Sequence, residues 1–373
     1  MTIGTEHEYS INDPVTFRPL PVSDLLISEI AGHVTTEVPF GSVSVGKELQ
    51  KHVLEIVPST PGRNVNDLEQ ALTRGVQALH ARFGQQYAFM GLGMHPLMHL
   101  NETCFWDHGE REIFSVYDRV FDLQQHGWLN IQALQINIPY RNEEQLISLF
   151  NRIRELLPYL VALTAASPFV EGEVPGPMDN RIRYYRENQD RIPLICHGVI
   201  PEEIRSVKDY MSIQEVIYRE LAVQGAEILC REWVNSRGVI IRFSRCCLEI
   251  KAIDEQESIY ADMAVTSFVL ALLRAKNLEL EKDENALRDL LDTATEHGTA
   301  HLRPELEQLY ATAEKNATKE EMRFLPHMQE RIRNGSLAEV LVRDLPKAGT
   351  IRNLLPAIAG CLRDNTAYHG HDQ

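Results

Sequence analysis

The sequence predicts an α+β fold: a mostly antiparallel sheet with helices packed on its back and a front face lined by carboxylates. Three observations predict it. Strand-like segments come early and helical patterns gather late, which is the order of an α+β chain rather than a βαβ repeat. Four strands alternate an apolar side with a polar or acidic side. The 373 residues carry no internal repeat, low-complexity tract or long linker, so the expectation is one catalytic domain, 1–373, with a mostly helical part at 259–373.

The strands follow from β-branched and aromatic enrichment at Thr2 to Ile11, Val43 to Val45, His52 to Val57, Tyr87 to Gly91, Ala133 to Pro139, Gly238 to Ser244 and Cys247 to Ile253. In the first, "GTEHEYSI", side chains alternate faces, so Glu6 and Glu8 share one side and His7 and Tyr9 the other. Two adjacent acids repel unless they are solvated or hold a cation. Glu55, between Leu54 and Ile56, faces away from their core; Glu249 and Lys251 oppose Leu248, Ile250 and Ala252; Gln135 and Asn137 oppose Leu134, Ile136 and Ile138. Helical patterns occupy Asn66 to Phe83, where a cap-like Asn66 precedes Glu69, then Glu143 to Ala166 and Ser212 to Cys230. After Ser258 they run almost to the end: Tyr260 to Lys276, Asp283 to Glu296, Glu305 to Lys315, Lys319 to Arg333 and Ser336 to Arg343. The tail "AYHGHDQ" is expected to be mobile.

Composition excludes several function classes. A hydrophobic content of 44% and a charged content of 24% are those of a folded globular protein. The net charge of −16 argues against a nucleic-acid partner. The start lacks a secretory pattern, and the apolar run Met263 to Leu273 is too short to cross a bilayer, so no membrane partner and a cytoplasmic location are expected. Six cysteines without CxxC spacing read as reduced thiols. Neither GxxxxGK[ST] nor a strand-borne GxGxxG is present, so a nucleotide would have to bind in the sheet cleft. Carboxylates clustered on a rigid sheet suit Mg²⁺, a hard cation that takes oxygen ligands and substrate phosphates together.

The ordered set "GTEHE", "ELQKHVLEIVPSTP", "GMHP", "LQINIPY", "ASPFVEG" followed by "RIRYYR", and "RGVIIRFSRCCLEIKAID" resembles glutamate-cysteine ligase family 2, the bacterial carboxylate-amine ligases of the glutamine synthetase superfamily. The likeness runs from Gly4 to about Leu273. It implies an ATP- and Mg²⁺-dependent ligase, with Mn²⁺ as a second candidate ion, that forms an amide from an amino acid or other carboxylate and an amine through an acyl phosphate. It places metal ligands at Glu6, Glu8, Glu48, Glu55 and Glu249. Glu48 and Glu55 are an odd number apart, so both reach one face only if the chain bends near Gln50 or Lys51. Where relatives commonly carry a metal-binding histidine this chain has Gln135, whose amide oxygen still suits Mg²⁺. Where they usually carry arginine it has Lys251, which keeps the charge and loses the bidentate fork.

Arg242, sharing a face with Ser244, is the preferred phosphate contact, with Lys251 beside it as a catalytic cation and Arg237 as a further nucleotide contact. By the resemblance Arg181, Arg183 and Arg186 of "RIRYYR" sit near substrate, and Arg183 and Arg186, with Asn137, are the expected substrate contacts. His95, His99 and His108 mimic a metal spacing, but Pro96 opposes a continuous helix through them. His7 reads as a structural histidine. Phosphoryl transfer to a nitrogen acceptor is the alternative enzyme, and a nucleotide-binding sensor with weakened catalysis the alternative outside catalysis. The superfamily tendency suggests a homodimer.

Overall fold

The computed structural model describes residues 2–107, 109–276 and 278–370. Its centre is an eight-stranded antiparallel sheet: β1 Gly4–Asn12, β2 Glu37–Phe40, β3 Val43–Lys47, β4 Val53–Pro58, β5 Ala88–Met90, β6 Ala133–Pro139, β7 Val239–Arg242 and β8 Cys247–Asp254. Their spatial order is β2-β3-β4-β1-β6-β8-β7, with β5 paired to the far end of β1. The N-terminal strand is therefore the middle of the sheet, flanked by β4 and β6. A mostly antiparallel α+β architecture is what the segment order predicts, and the structure has it.

The back face is the core. Tyr9, Ile11, Leu54, Ile56, Leu134, Ile136, Leu248 and Ile250 are all buried there. The helices Val65–Phe83, Glu143–Thr164 and Ile259–Arg274 supply the facing apolar layer, including Leu72, Phe150 and Phe268. The first of these starts one residue before the predicted span, at an Asn64 cap whose side chain accepts the Asp67 N–H. Ile259–Arg274 is buried along nearly its whole length, as its continuous apolar run requires. Among the described residues no helix is long and apolar enough to cross a membrane.

Several elements depart from expectation. The pattern at Ser212 to Cys230 becomes the helix Val207–Val223, and that at Lys319 to Arg333 breaks into a 3-10 turn at Glu321–Arg323 and the helix Leu325–Asn334. Phe243–Arg245 is a 3-10 turn, so β7 ends at Arg242 rather than Ser244. The helices Arg111–Phe121 and Asn180–Glu187 lie in stretches the sequence left unassigned. The tail is docked as far as it is described: the Tyr368 N–H donates to Glu257 at 2.9 Å and its hydroxyl to Asp344 at 2.9 Å. The rest of that tail, residues 371–373, lies outside the described residues.

Candidate active site

Register alone assembles the acids. In β1 and β4, Glu8 stands directly opposite Glu55, and in β1 and β6, Glu6 stands opposite Gln135. Asn137 is opposite Glu249 across β6 and β8. Like charges facing each other across strands are destabilising, so the Glu8–Glu55 pair requires a compensating partner. The predicted bend between Glu48 and Glu55 exists: β3 and β4 form a hairpin that turns through Lys51 and His52, which returns Glu55 to the face reached by Glu48. Glu6, Glu8, Glu48, Glu55, Gln135 and Glu249 all line one cavity of about 470 Å³ on the front of the sheet. The structure thus brings together every acid that the alternation and the resemblance single out.

Burial sets the chemistry of these groups. Removal from water, then the neighbouring Glu48, push the Glu8 carboxyl well above the usual carboxylate range. Burial raises Glu48 to about 6. Burial, Glu48 and Glu6 together raise Glu55 strongly. Glu6 goes the other way: burial opposes its charge, but Arg245 at 2.6 Å and a hydrogen bond from Asn137 at 2.9 Å hold it ionised. The two carboxyls of the Glu6–Glu55 pair are thus pushed in opposite directions, Glu6 toward the charged form by Arg245 and Asn137 and Glu55 toward the neutral form by burial and its acidic neighbours. Hard oxygen donors that repel one another when all are ionised are of the type a divalent cation such as Mg²⁺ takes, although among the described residues the group of three whose ligand atoms already lie together is His7, Glu255 and Asp262, not these acids. Gln135 fits the set of front-face acids: its amide nitrogen donates to Glu8 at 3.0 Å, which leaves the amide oxygen as the atom to serve a cation.

The cations stand across from the acids. Arg242 pairs with Glu249, and Lys251 approaches the other oxygen of Glu249 at 3.9 Å. Both line the cavity, as expected, and so do Lys47, Arg181 and Arg245. Lys251 sits in a bulge. Ile136 pairs with Ile250 and Leu134 with Ile253, so Lys251 and Ala252 together oppose Gln135. That extra residue resets the alternation and lets Asp254, paired with cavity-lining Ala133, bond Arg181 Nε at 2.6 Å. Arg181 also donates to the Lys251 carbonyl at 3.2 Å, so its guanidinium is fixed from two sides.

Other placements are corrected. Arg183 and Arg186 line a separate surface groove, where Arg186 pairs with Asp292. The reason is helical geometry: within Asn180–Glu187 the residues Arg181 and Tyr185, four apart, share the face turned to the cavity, and Arg183 lies about 200° around the helix from Arg181. Arg237 is buried against Glu202 at 2.7 and 2.8 Å and does not line the cavity, so it serves as a structural ion pair rather than a nucleotide contact. Asn137 reaches the site only through Glu6; its own side chain lines a second cavity of about 280 Å³ with Gly4, Pro58, Pro139 and Cys247. His7 lies behind the sheet, bonded to Asp262 at 3.1 Å and Thr5 at 2.9 Å and facing Glu255 at 3.5 Å, in a buried group whose ligand atoms lie close enough together to hold a metal ion. His95 is buried with its backbone tied to Asn130, His99 faces Glu171, and His108 lies outside the described residues. Sequence reasoning missed an aromatic wall: Phe114, Tyr117, Trp128, Tyr185 and Trp233 line the same cavity opposite the sheet.

The antiparallel sheet thus presents its carboxylates and five cations to one cavity. A family model, glutamate-cysteine ligase family 2, matches residues 2–357, and the chain belongs to that family. An uncharacterized protein of Archaeoglobus fulgidus is 45% identical over 98% of this chain and 100% of its own length. The chloroplastic glutamate-cysteine ligase of Brassica juncea is 26% identical over 52% of this chain and 40% of that one. Among solved structures, a glutamate-cysteine ligase from Francisella tularensis in complex with AMP has a TM-score of 0.63 at 12% identity, covering 98% of this chain and 89% of that chain. A bifunctional glutathione synthetase from Pasteurella multocida has a TM-score of 0.62 at 14% identity, covering 98% and 51%. The chain spans about half the length of that bifunctional enzyme and less than half of the plant ligase. These structural likenesses carry the fold.

Proposed function

We propose that the protein is an ATP- and Mg²⁺-dependent carboxylate-amine ligase, acting as one catalytic unit. The observation that carries this reading is the convergence of six glutamates, five of them from the sheet and its β3–β4 turn, and five cations in one cavity of about 470 Å³. Glu6, Glu8, Glu48, Glu55 and Glu249, with Gln135, would hold the metal, and a divalent ion bound there neutralises acids and phosphate oxygens together. The AMP complex of the Francisella relative supports a nucleotide in the same fold.

The chain's own residues supply positioning and charge. The ATP γ-phosphoryl group passes to a substrate carboxylate oxygen, giving ADP and an acyl phosphate. The amine nitrogen then attacks the carbonyl carbon, phosphate departs with the former carboxylate oxygen, and the nitrogen gives up a proton. Lys251, Arg242 and Arg245 face the charge that spreads over the phosphoryl oxygens during transfer, and Arg181 is fixed to hold an acid. No side-chain nucleophile is required. Mn²⁺ is the natural alternative ion, and cytoplasmic location and a homodimer belong to the same proposal. ADP release measured with and without acid and amine tests it: dependence on both supports the ligase, a phosphorylated nitrogen acceptor would replace it with a kinase, and binding of ATP without turnover with a sensor.

A further inference from the structure

The acids and cations occupy only part of the main cavity. The side away from the strands is ring-rich: Ile113 and Phe114 come from the helix Arg111–Phe121, whose cap residue Glu110 pairs with Lys47, Tyr117 comes from the next turn, and Trp128 and Trp233 from two short helices. The rings brace one another. Tyr117 stacks on Trp233 with centroids 5.8 Å apart and meets Trp128 edge-on at 5.4 Å. Tyr117 belongs to a buried cluster with Val120 and Phe121, so the wall stands on a packed base rather than on loops. Such a surface rewards a flat apolar group, and the cation on this side, Lys47, lies 4.4 Å over the Phe114 ring and is paired with Glu110 at 3.1 Å.

Glu6 and Arg245, paired with each other at 2.6 Å, line both the main cavity and the second cavity of about 280 Å³, so the pair stands where the two adjoin. Arg181 and Lys251 lie in the cavity that carries the wall, as the cations for the head group of the ligand lodged there. Both cavities are close to or within the ~300–1,000 Å³ range of small-molecule sites.

We infer that the carboxylate activated here carries an apolar, ring-sized side chain, as in an arylalkanoic or aromatic amino acid, with its head group at Arg181 and Lys251 and its ring against Trp233, Tyr117 and Trp128. This rests on the ligase reading for the chemistry and on the wall for the side chain. The general amine hydroxylamine serves as probe, since it converts an acyl phosphate to a hydroxamate with release of phosphate. With ATP, Mg²⁺ and hydroxylamine, 3-phenylpropionate, phenylacetate, phenylalanine and tyrosine are compared with glutamate, aspartate and acetate. The expected result is a kcat/KM for the best aryl acid at least 10-fold above that for glutamate. Trp233→Leu and Ile113→Asn are expected to raise KM for that acid at least 10-fold, with KM for ATP within about twofold of wild type and unchanged urea midpoints. Ile113 is only half-buried, so its variant keeps the test open if Trp233→Leu fails to fold. Preference for glutamate overturns the inference and leaves the ligase standing; a rise in KM for ATP alone overturns it by giving the wall to the nucleotide base. Quenching of tryptophan fluorescence by 3-phenylpropionate, lost in Trp233→Leu, reads the wall without turnover. Quenching with no ADP release from any acid removes the ligase and keeps the apolar site, and absence of quenching removes the site.

Discussion

Glu48 is a carboxylate whose charge the metal-free fold resists, and its replacement should stabilise the protein while disabling it. Its carboxyl is raised from 4.5 to about 6, with burial as the leading cause and Glu6 adding to it. An acid raised in the folded state is favourable to stability only while protonated. The cost is therefore absent below pH 4.5, grows as pH rises through about 6, and is complete above it. A shift of that size corresponds to about 2 kcal/mol at neutral pH. Glu48→Gln removes the charge and keeps an oxygen for the Leu49 N–H, which it accepts at 3.3 Å. In EDTA at pH 7.5 the variant should be about 2 kcal/mol more stable, which for a chain of this length is a rise of roughly 2–3 °C in Tm. Scanning calorimetry at pH 4 and pH 7.5 reads the difference. At pH 4 the two proteins should melt together, and Mg²⁺ at pH 7.5 should stabilise wild type more than the variant, with release of protons on binding. A variant less stable than wild type in EDTA at pH 7.5, or a gain of equal size at both pH values, refutes the reasoning, because no ionisation penalty would then reside at Glu48.

Three further outcomes follow from the same cavity. Glu8→Gln and Glu249→Gln should each abolish ADP formation with far-ultraviolet circular dichroism unchanged; near-native turnover in either would remove that residue from a shared metal site. Lys251→Ala should lower kcat by about 10²- to 10³-fold with a much smaller rise in KM for ATP, and Lys251→Arg should recover much of it, since the contact strengthens as charge develops on the transferred group; a change of less than about threefold in kcat marks a merely solvated lysine. Gln135→His should shift metal preference from Mg²⁺ toward softer divalent ions, as imidazole does relative to an amide oxygen, and an unchanged metal profile in activity titrations would place Gln135 outside the ligand set.

The acidic front was legible because it depends on one physical rule, the two-residue alternation of strands. Given that rule, Glu6, Glu8, Glu55 and Glu249 can reach only the face opposite Leu54, Ile56 and Ile250, and the structure puts them there. Even the turn between Glu48 and Glu55 followed from parity. What stayed hidden breaks the rule or depends on distance. The bulge at Lys251 and Ala252 changes parity by one residue, so Asp254 and its hold on Arg181 could not be read from alternation. The segment "RIRYYR" offers Arg181, Arg183 and Arg186 alike, and only its helical period separates Arg181 from Arg183. The wall residues lie far apart in sequence, at 113–117, 128 and 233, and nothing local announces that they meet. The spacing of Ile113, Phe114, Tyr117, Val120 and Phe121 was nevertheless a helical signal available to be used.

The central claim is that a substrate carboxylate is activated as an acyl phosphate in the front cavity. An acid that supports ADP release, labelled with ¹⁸O in both carboxylate oxygens and turned over with ATP, Mg²⁺ and an amine, tests it most directly. The oxygen that joins carbon to phosphorus must leave with phosphate when nitrogen takes its place at the carbonyl. Mass spectrometry should find one ¹⁸O in each phosphate released and one retained in each amide formed, with ADP, phosphate and amide in equal amounts; unlabelled phosphate accompanying labelled amide would contradict the account.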